Sequence, residues 1–171
     1  GIRDLVRSRG LGDVYKRQGL KTIVKQIFRY ELTVSDDTID ENGHVNNVEY
    51  LRWMLDSAVM HSGILGCTAA IKEIGATWVV RTHHIIYLLP AFAGEKIVVL
   101  TWVSNLRRVL SLRKYKVVRI ADKAVLAEGE TVWVFVHAET GKLRSIPKNI
   151  MALFEVLPLE KEAEVMKHVI C

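Results

Sequence analysis

Between Asn46 and Gly63 the sequence describes a helix with almost no polar side. Leu51, Met54, Leu55, Ala58, Val59 and Ser62 recur at helical spacing, and Val48, Tyr50, Trp53 and Met60 fill further positions around the circumference. Only Glu49, Arg52 and Asp56 form a charged line, spaced for weak ion pairing along the helix. A helix that is apolar on most sides must be covered on most sides, which leaves the charged line as its open edge. Asn46 and Asn47 both offer N-caps at its start.

The rest of the chain is suited to cover it. Ile27 to Val34 alternates as a strand, and after a possible helical turn at Thr68 to Ile74 come four stretches rich in Val, Ile, Trp, Tyr and Thr. These are Thr77 to Leu89, Lys96 to Val103, Val109 to Ile120 and Val125 to Ala138. Pro90 with Gly94, Ser104-Asn105, Ala121-Asp122-Lys123 and Thr140-Gly141 mark turns, and the tight connections after Lys96 imply antiparallel neighbours. A last short strand is expected at Lys142 to Ile146, and a closing helical turn at Asn149 to Val156. The layout is α+β: an antiparallel sheet curled around one long central helix. Such a sheet keeps open edges, and open edges invite pairing, so the expectation is a homodimer or homotetramer.

Composition removes several classes of function. The longest apolar run, Ile85 to Ala93, is broken by Pro90 and falls short of the roughly 20 residues of a membrane span, so it reads as a buried strand. The net charge of +5 is concentrated at the N-terminus: the first eighteen residues hold five basic and two acidic side chains, leaving 19 and 17 elsewhere. That is an ordinary surface, and no nucleic-acid partner is expected. Arg107, Arg108, Arg113 and Lys114 flank a predicted hairpin and read as solvated surface, with CoA phosphates as an alternative partner. Two cysteines, Cys67 and Cys171, suit free thiols, and with no continuous hydrophobic leader the expected location is cytoplasmic. The segment Asp13 to Gln18 back-translates as GAT GTG TAT AAG AGA CAG, which resembles a transposon-end sequencing adapter. Residues 1–18, which show no periodicity, are therefore set apart as a non-native leader, and 19–171 as a single domain.

There is no phosphate-binding glycine loop, no dinucleotide fingerprint, no HExxH and no GxSxG. His83 and His84 are adjacent in a predicted strand, so they point to opposite faces and read as structural. His137 and His168 have no acidic or cysteine cluster beside them, and no metal site is expected. Chemistry concentrates in Asp40-Glu41-Asn42-Gly43-His44-Val45-Asn46-Asn47, a loop that feeds the apolar helix. Unsatisfied N–H groups at a helix start can receive a developing oxyanion, and Asp40 is placed to act as nucleophile or general base. Asn42 and His44 are candidates for orienting water or the carboxylate, and Asn47 for holding substrate. The same residues also read as an ordinary turn followed by an N-cap, with His44 bonded to a loop carbonyl.

The run Asp40-x-Asn42-x-His44-Val45-Asn46-Asn47-x-x-Tyr50-Leu51-x-Trp53 resembles the signature of hotdog-fold thioesterases of the 4-hydroxybenzoyl-CoA thioesterase type, closest to bacterial acyl-CoA and plant acyl-ACP thioesterases. The resemblance implies a hotdog fold over nearly all of the chain after Gly19. It implies hydrolysis of acyl-CoA or acyl-ACP, with no cofactor and with Asp40, Asn42 and His44 as the catalytic residues. The plant enzymes' further catalytic acid has no match around Tyr87 to Pro90. The alternative is a non-catalytic acyl-CoA or acyl-ACP binding protein that uses the same groove.

Overall fold

The computed structural model describes residues 25–170, so the expected leader lies outside the described residues. β1 (Ile27–Thr33) leads through a 3-10 turn (Asp36–Thr38) to α1 (Asn47–Ile64) and α2 (Cys67–Glu73). β2 (Ala76–Tyr87), β3 (Lys96–Arg107), β4 (Leu110–Arg119) and β5 (Val125–His137) follow, then α3 (Lys148–Met151) and α4 (Leu159–Ile170). The five strands form one antiparallel sheet in the order β1-β3-β4-β5-β2.

The sheet bends because its ladders carry register shifts between Val80 and Thr82, Val103 and Asn105, and Val117 and Val118. Each such irregularity adds local twist and turns a flat ladder toward a trough. Helix α1 lies in that trough, with Trp53, Met54 and Ala58 packed among Val99, Tyr115, Val117 and Ala127. Gly129 permits the close approach: a Cβ there would stand 2.6 Å from the Met54 Sδ. The open edge of α1 is broader than its charged line. Glu49 and Arg52 pair at 3.0 Å as the spacing predicts, but Val48 and Val59 are also exposed, at 59% and 61%.

The convex face is covered as well, by α4, which lies beyond the closing helical turn expected at Asn149 to Val156. Strand β3 is buried at every position from Ile97 to Ser104. Ile97 and Val99 face α1, whereas Val98, Leu100 and Trp102 cluster with Met166 of α4. Glu162 pins the helix down: its Oε1 accepts from Trp102 Nε1 and Ser104 Oγ, both at 3.2 Å, and lies 3.0 Å from Lys114 Nζ.

Two further expectations are corrected. Lys142 to Ile146 is not a strand, because β4 already occupies that side of β5 up to the Leu110–Val134 pair. Only the single bridge Val136–Leu143 fits beyond it. Most of the run Ile85 to Ala93 is not buried either, Ala91 excepted. Strand β2 is the sheet's last, with one neighbour only, so Ile86, Tyr87, Leu88 and Leu89 remain 44–50% exposed.

Glu162→Ala strips buried Trp102 and Ser104 and half-buried Lys114 of a shared acceptor. Urea titration is expected to show a loss of about 1–3 kcal/mol, and an unchanged midpoint would mean that α4 is held by its apolar face alone.

Candidate active site

The loop before α1 is a closed hairpin. Ile39 and Val45 form an antiparallel bridge, Asp40 N–H donates to the His44 carbonyl at 2.8 Å, and Gly43 N–H to the Asp40 carbonyl at 3.0 Å. Gly43 adopts φ +77°, a conformation that glycine reaches without a Cβ penalty. The loop is tied at its far end by Val45 N–H to the Ala91 carbonyl at 3.0 Å and by Asn46 N–H to the Thr38 carbonyl at 2.9 Å. The helix entrance is thus fixed by backbone bonds from both flanking segments.

Asp40, Asn42 and His44 come together in this one turn, joined by backbone. Asp40 Oδ1 accepts the N–H of Asn42 at 2.8 Å and of His44 at 3.3 Å, while Oδ2 has no partner among the described residues. No hydrogen bond links the His44 ring or the Asn42 amide to the carboxylate. The His44 ring instead meets the edge of Phe92, centroids 5.3 Å apart, and the side chains of Asn42, His44 and Asn47 are exposed.

Of the two candidate caps, Asn46 is the one used: its Oδ1 accepts from Val48 N–H at 3.0 Å, and its carbonyl from Glu49 N–H at 2.9 Å. Neither bond engages the Asn47 N–H, the first amide of the helix. The Asn47 carbonyl accepts from the Tyr87 hydroxyl at 3.1 Å, and Ala91 N–H donates to the Tyr50 hydroxyl at 3.0 Å. Burial raises the Tyr50 pKa above its ordinary value, so this phenol stays protonated. Tyr50, Tyr87, Ala91 and Phe92 therefore wall the helix entrance. The sequence marks them only as helix and apolar strand residues, although Tyr50 stands inside the motif.

His83 and His84 stand apart from this site and from each other. His83 Nδ1 lies 2.9 Å from Thr131 Oγ1, and His84 pairs in register with Glu130. Among the described residues no group of three or more His, Cys, Asp or Glu side chains is placed to hold a metal, and no single helix is long and apolar enough to cross a membrane. One surface expectation is corrected. Arg113 is not solvated: odd-numbered β4 residues face α1, and this residue is 4% exposed.

A five-stranded antiparallel sheet wrapped around one long helix, with an Asp-x-Asn-x-His turn at the helix entrance, is the hotdog architecture that the motif implied. The chain belongs to the acyl-ACP thioesterase family, whose N-terminal-domain model matches residues 25–154. An acyl-ACP thioesterase from Bacteroides thetaiotaomicron superposes with a TM-score of 0.69 at 23% identity, covering 78% of this chain and 55% of that one. The 12:0-ACP thioesterase from Umbellularia californica gives 0.69 at 17% identity over 81% and 54%. A 1,4-dihydroxy-2-naphthoyl-CoA thioesterase from Synechocystis gives 0.67 at 17% identity over 74% and 94%. The chain therefore spans about half the length of the two acyl-ACP thioesterases and nearly all of the naphthoyl-CoA enzyme. No curated protein matches it by sequence.

Asn46→Ala is expected to lower stability by about 1 kcal/mol through loss of the cap, whereas Asn47→Ala is expected to change it by less than about 0.5 kcal/mol. Thermal unfolding of the two variants side by side distinguishes them, and equal losses would reassign the cap.

Proposed function

We propose that this protein hydrolyses acyl thioesters of coenzyme A or acyl carrier protein, with Asp40 as nucleophile or general base. The observation that carries this reading is the geometry of Asp40. One carboxylate oxygen is anchored by two turn amides, the other is unengaged, and the turn leads directly into the first turn of α1. Anchoring fixes the carboxylate without consuming it, as general-base or nucleophilic action requires. The Asn47 N–H is the donor for the developing oxyanion, which gives Asn47 its substrate-binding role. Asn42 and His44 act through the turn: their backbone amides hold Asp40, and their exposed side chains border the space in which water is positioned. Family membership supports the same class of reaction.

The assembly belongs to this reading too. Residues 19–171 act as one hotdog domain in the cytoplasm, paired at least as a homodimer through the free edge of β2. Val79, Val80, Ile86 and Tyr87 are 39–46% exposed on that strand, and an unpaired apolar edge is a template for another strand. Light scattering at micromolar concentration is expected to give a multiple of the monomer mass. A monomer with full activity would remove the claim.

The activity itself is tested by thiol release from a panel of acyl-CoA and acyl-ACP substrates. Asp40→Asn keeps the size and loses the charge, and turnover is expected to fall about 10²- to 10⁴-fold with folding intact. His44→Ala is expected to lose less. Asp36→Asn and Asp37→Asn, in the neighbouring 3-10 turn, serve as controls and are expected to stay near wild type. Undiminished turnover in Asp40→Asn would refute the carboxylate mechanism. Tight acyl-CoA binding with no thiol release from the parent protein would favour a binding protein instead.

A further inference from the structure

Beneath the C-terminal half of α1 lies a second feature, remote from the Asp40 turn. A cavity of about 190 Å³ opens between α1, α2, β2, β4 and β5, walled largely by Ala58, Ile71, Trp78 and Phe154. Into this apolar wall the sheet sets two strong donors, Arg113 and Trp133.

Arg113 is 4% exposed, and among the described residues no carboxylate pairs with it. Its Nη1 lies 3.0 Å from His61 Nδ1 and donates to Thr101 Oγ1 at 3.1 Å. A guanidinium can only donate, so His61 Nδ1 accepts and the contact adds no negative charge. Phe154 faces the guanidinium carbon at 5.8 Å, again without charge. A buried cation with neutral partners alone is costly, because its desolvation is not offset by an opposite charge. The Trp133 indole Nε1, a donor only, is buried and makes no well-formed hydrogen bond, its neighbour being the Tyr115 hydroxyl. The site thus has a positive charge with no opposite charge beside it, a poorly engaged indole N–H and mostly apolar walls.

We propose that this cavity binds a carboxylate carried on an apolar chain, with the Arg113 guanidinium and the Trp133 indole N–H as its donors. A water molecule would satisfy the indole but not the charge, whereas a carboxylate satisfies both and leaves its methylenes against Ala58, Ile71 and Trp78. Ala58 and Ser62 lie about 17 and 22 Å past Asn47 along the helix axis, at roughly 1.5 Å per residue. The carboxylate is therefore either the far end of a long substrate chain or a separate free acid. Only the choice between these sources rests on the thioesterase reading.

Binding is measured without turnover. Octanoate and octanol are titrated into the full chain by calorimetry and by fluorescence, since Trp78 and Trp133 both line the cavity. Octanoate is expected to bind and to perturb the fluorescence, with octanol at least about 10-fold weaker and Arg113→Met erasing the difference. If Arg113→Met does not fold, Trp133→Phe keeps most of the ring, removes the N–H, and is expected to weaken octanoate a few-fold without affecting octanol. Equal binding of acid and alcohol, or octanoate binding indifferent to both substitutions, would overturn the proposal. Given binding, the source follows from kinetics. A higher kcat/KM for a long ω-carboxyacyl-CoA than for the unsubstituted acyl-CoA, lost in Arg113→Met, assigns the substrate's end. Inhibition by octanoate with no such preference assigns a free acid.

Discussion

Covering α1 is the requirement on which the rest of this structure depends. An eighteen-residue helix with Tyr50, Trp53, Met54, Ser57, Ala58 and His61 all buried cannot be satisfied by a flat surface, which touches one side only. The sheet meets the requirement by bending at three register irregularities, and by leaving residue 129 without a side chain where Met54 arrives. The site then follows from the wrapping. A helix held along its length in a trough has a fixed start at the trough's rim, and the turn from Asp40 to His44 is bonded to that start by the segments on either side.

The two ends of the helix differ in their electrostatics. At the entrance, polar groups are exposed and nearly all paired: Asn46 caps, Tyr87 and Tyr50 bond backbone groups, and Asp40 spends one oxygen on its own turn. Toward the far end, the polar groups are buried and the Arg113 charge has only neutral partners, with Arg113 and Trp133 set into an apolar wall. Low dielectric magnifies whatever charge enters there, favourable or not, while water moderates it at the entrance. Chain-like molecules with a reactive head and an apolar body suit this division of surroundings.

Most of the architecture was legible because its signals are local. The near-complete apolar circumference of α1, the β-branched runs and the turn residues each point to one element, and the Asp40 motif announced its own loop. What escaped depended on distant partners. Arg113 reads as surface beside Lys114 until the strand's alternation is fixed, and then the two point to opposite faces. Ile86 to Leu89 are as apolar as a core strand, and nothing in their composition states that β2 has only one neighbour. Helix α4 was foreshadowed in an unexpected place. The run Ile97-Val98-Val99-Leu100 in β3 does not alternate, as a strand with one wet face should, and this implied a cover on the convex side.

That cover is partial, and partial cover divides the sheet mechanically. Strands β3 and β4 are clamped between α1 on one side and α4 on the other, whereas β2 has a ladder partner on one side only, β5. Backbone amides in the clamped half can meet solvent only when the whole domain opens, while those of β2 are released by fraying from the edge. The molecule is therefore stiff where the convex face is sealed and compliant along the β2 border, one of the two that another strand could join, so adding a strand there would stiffen β2.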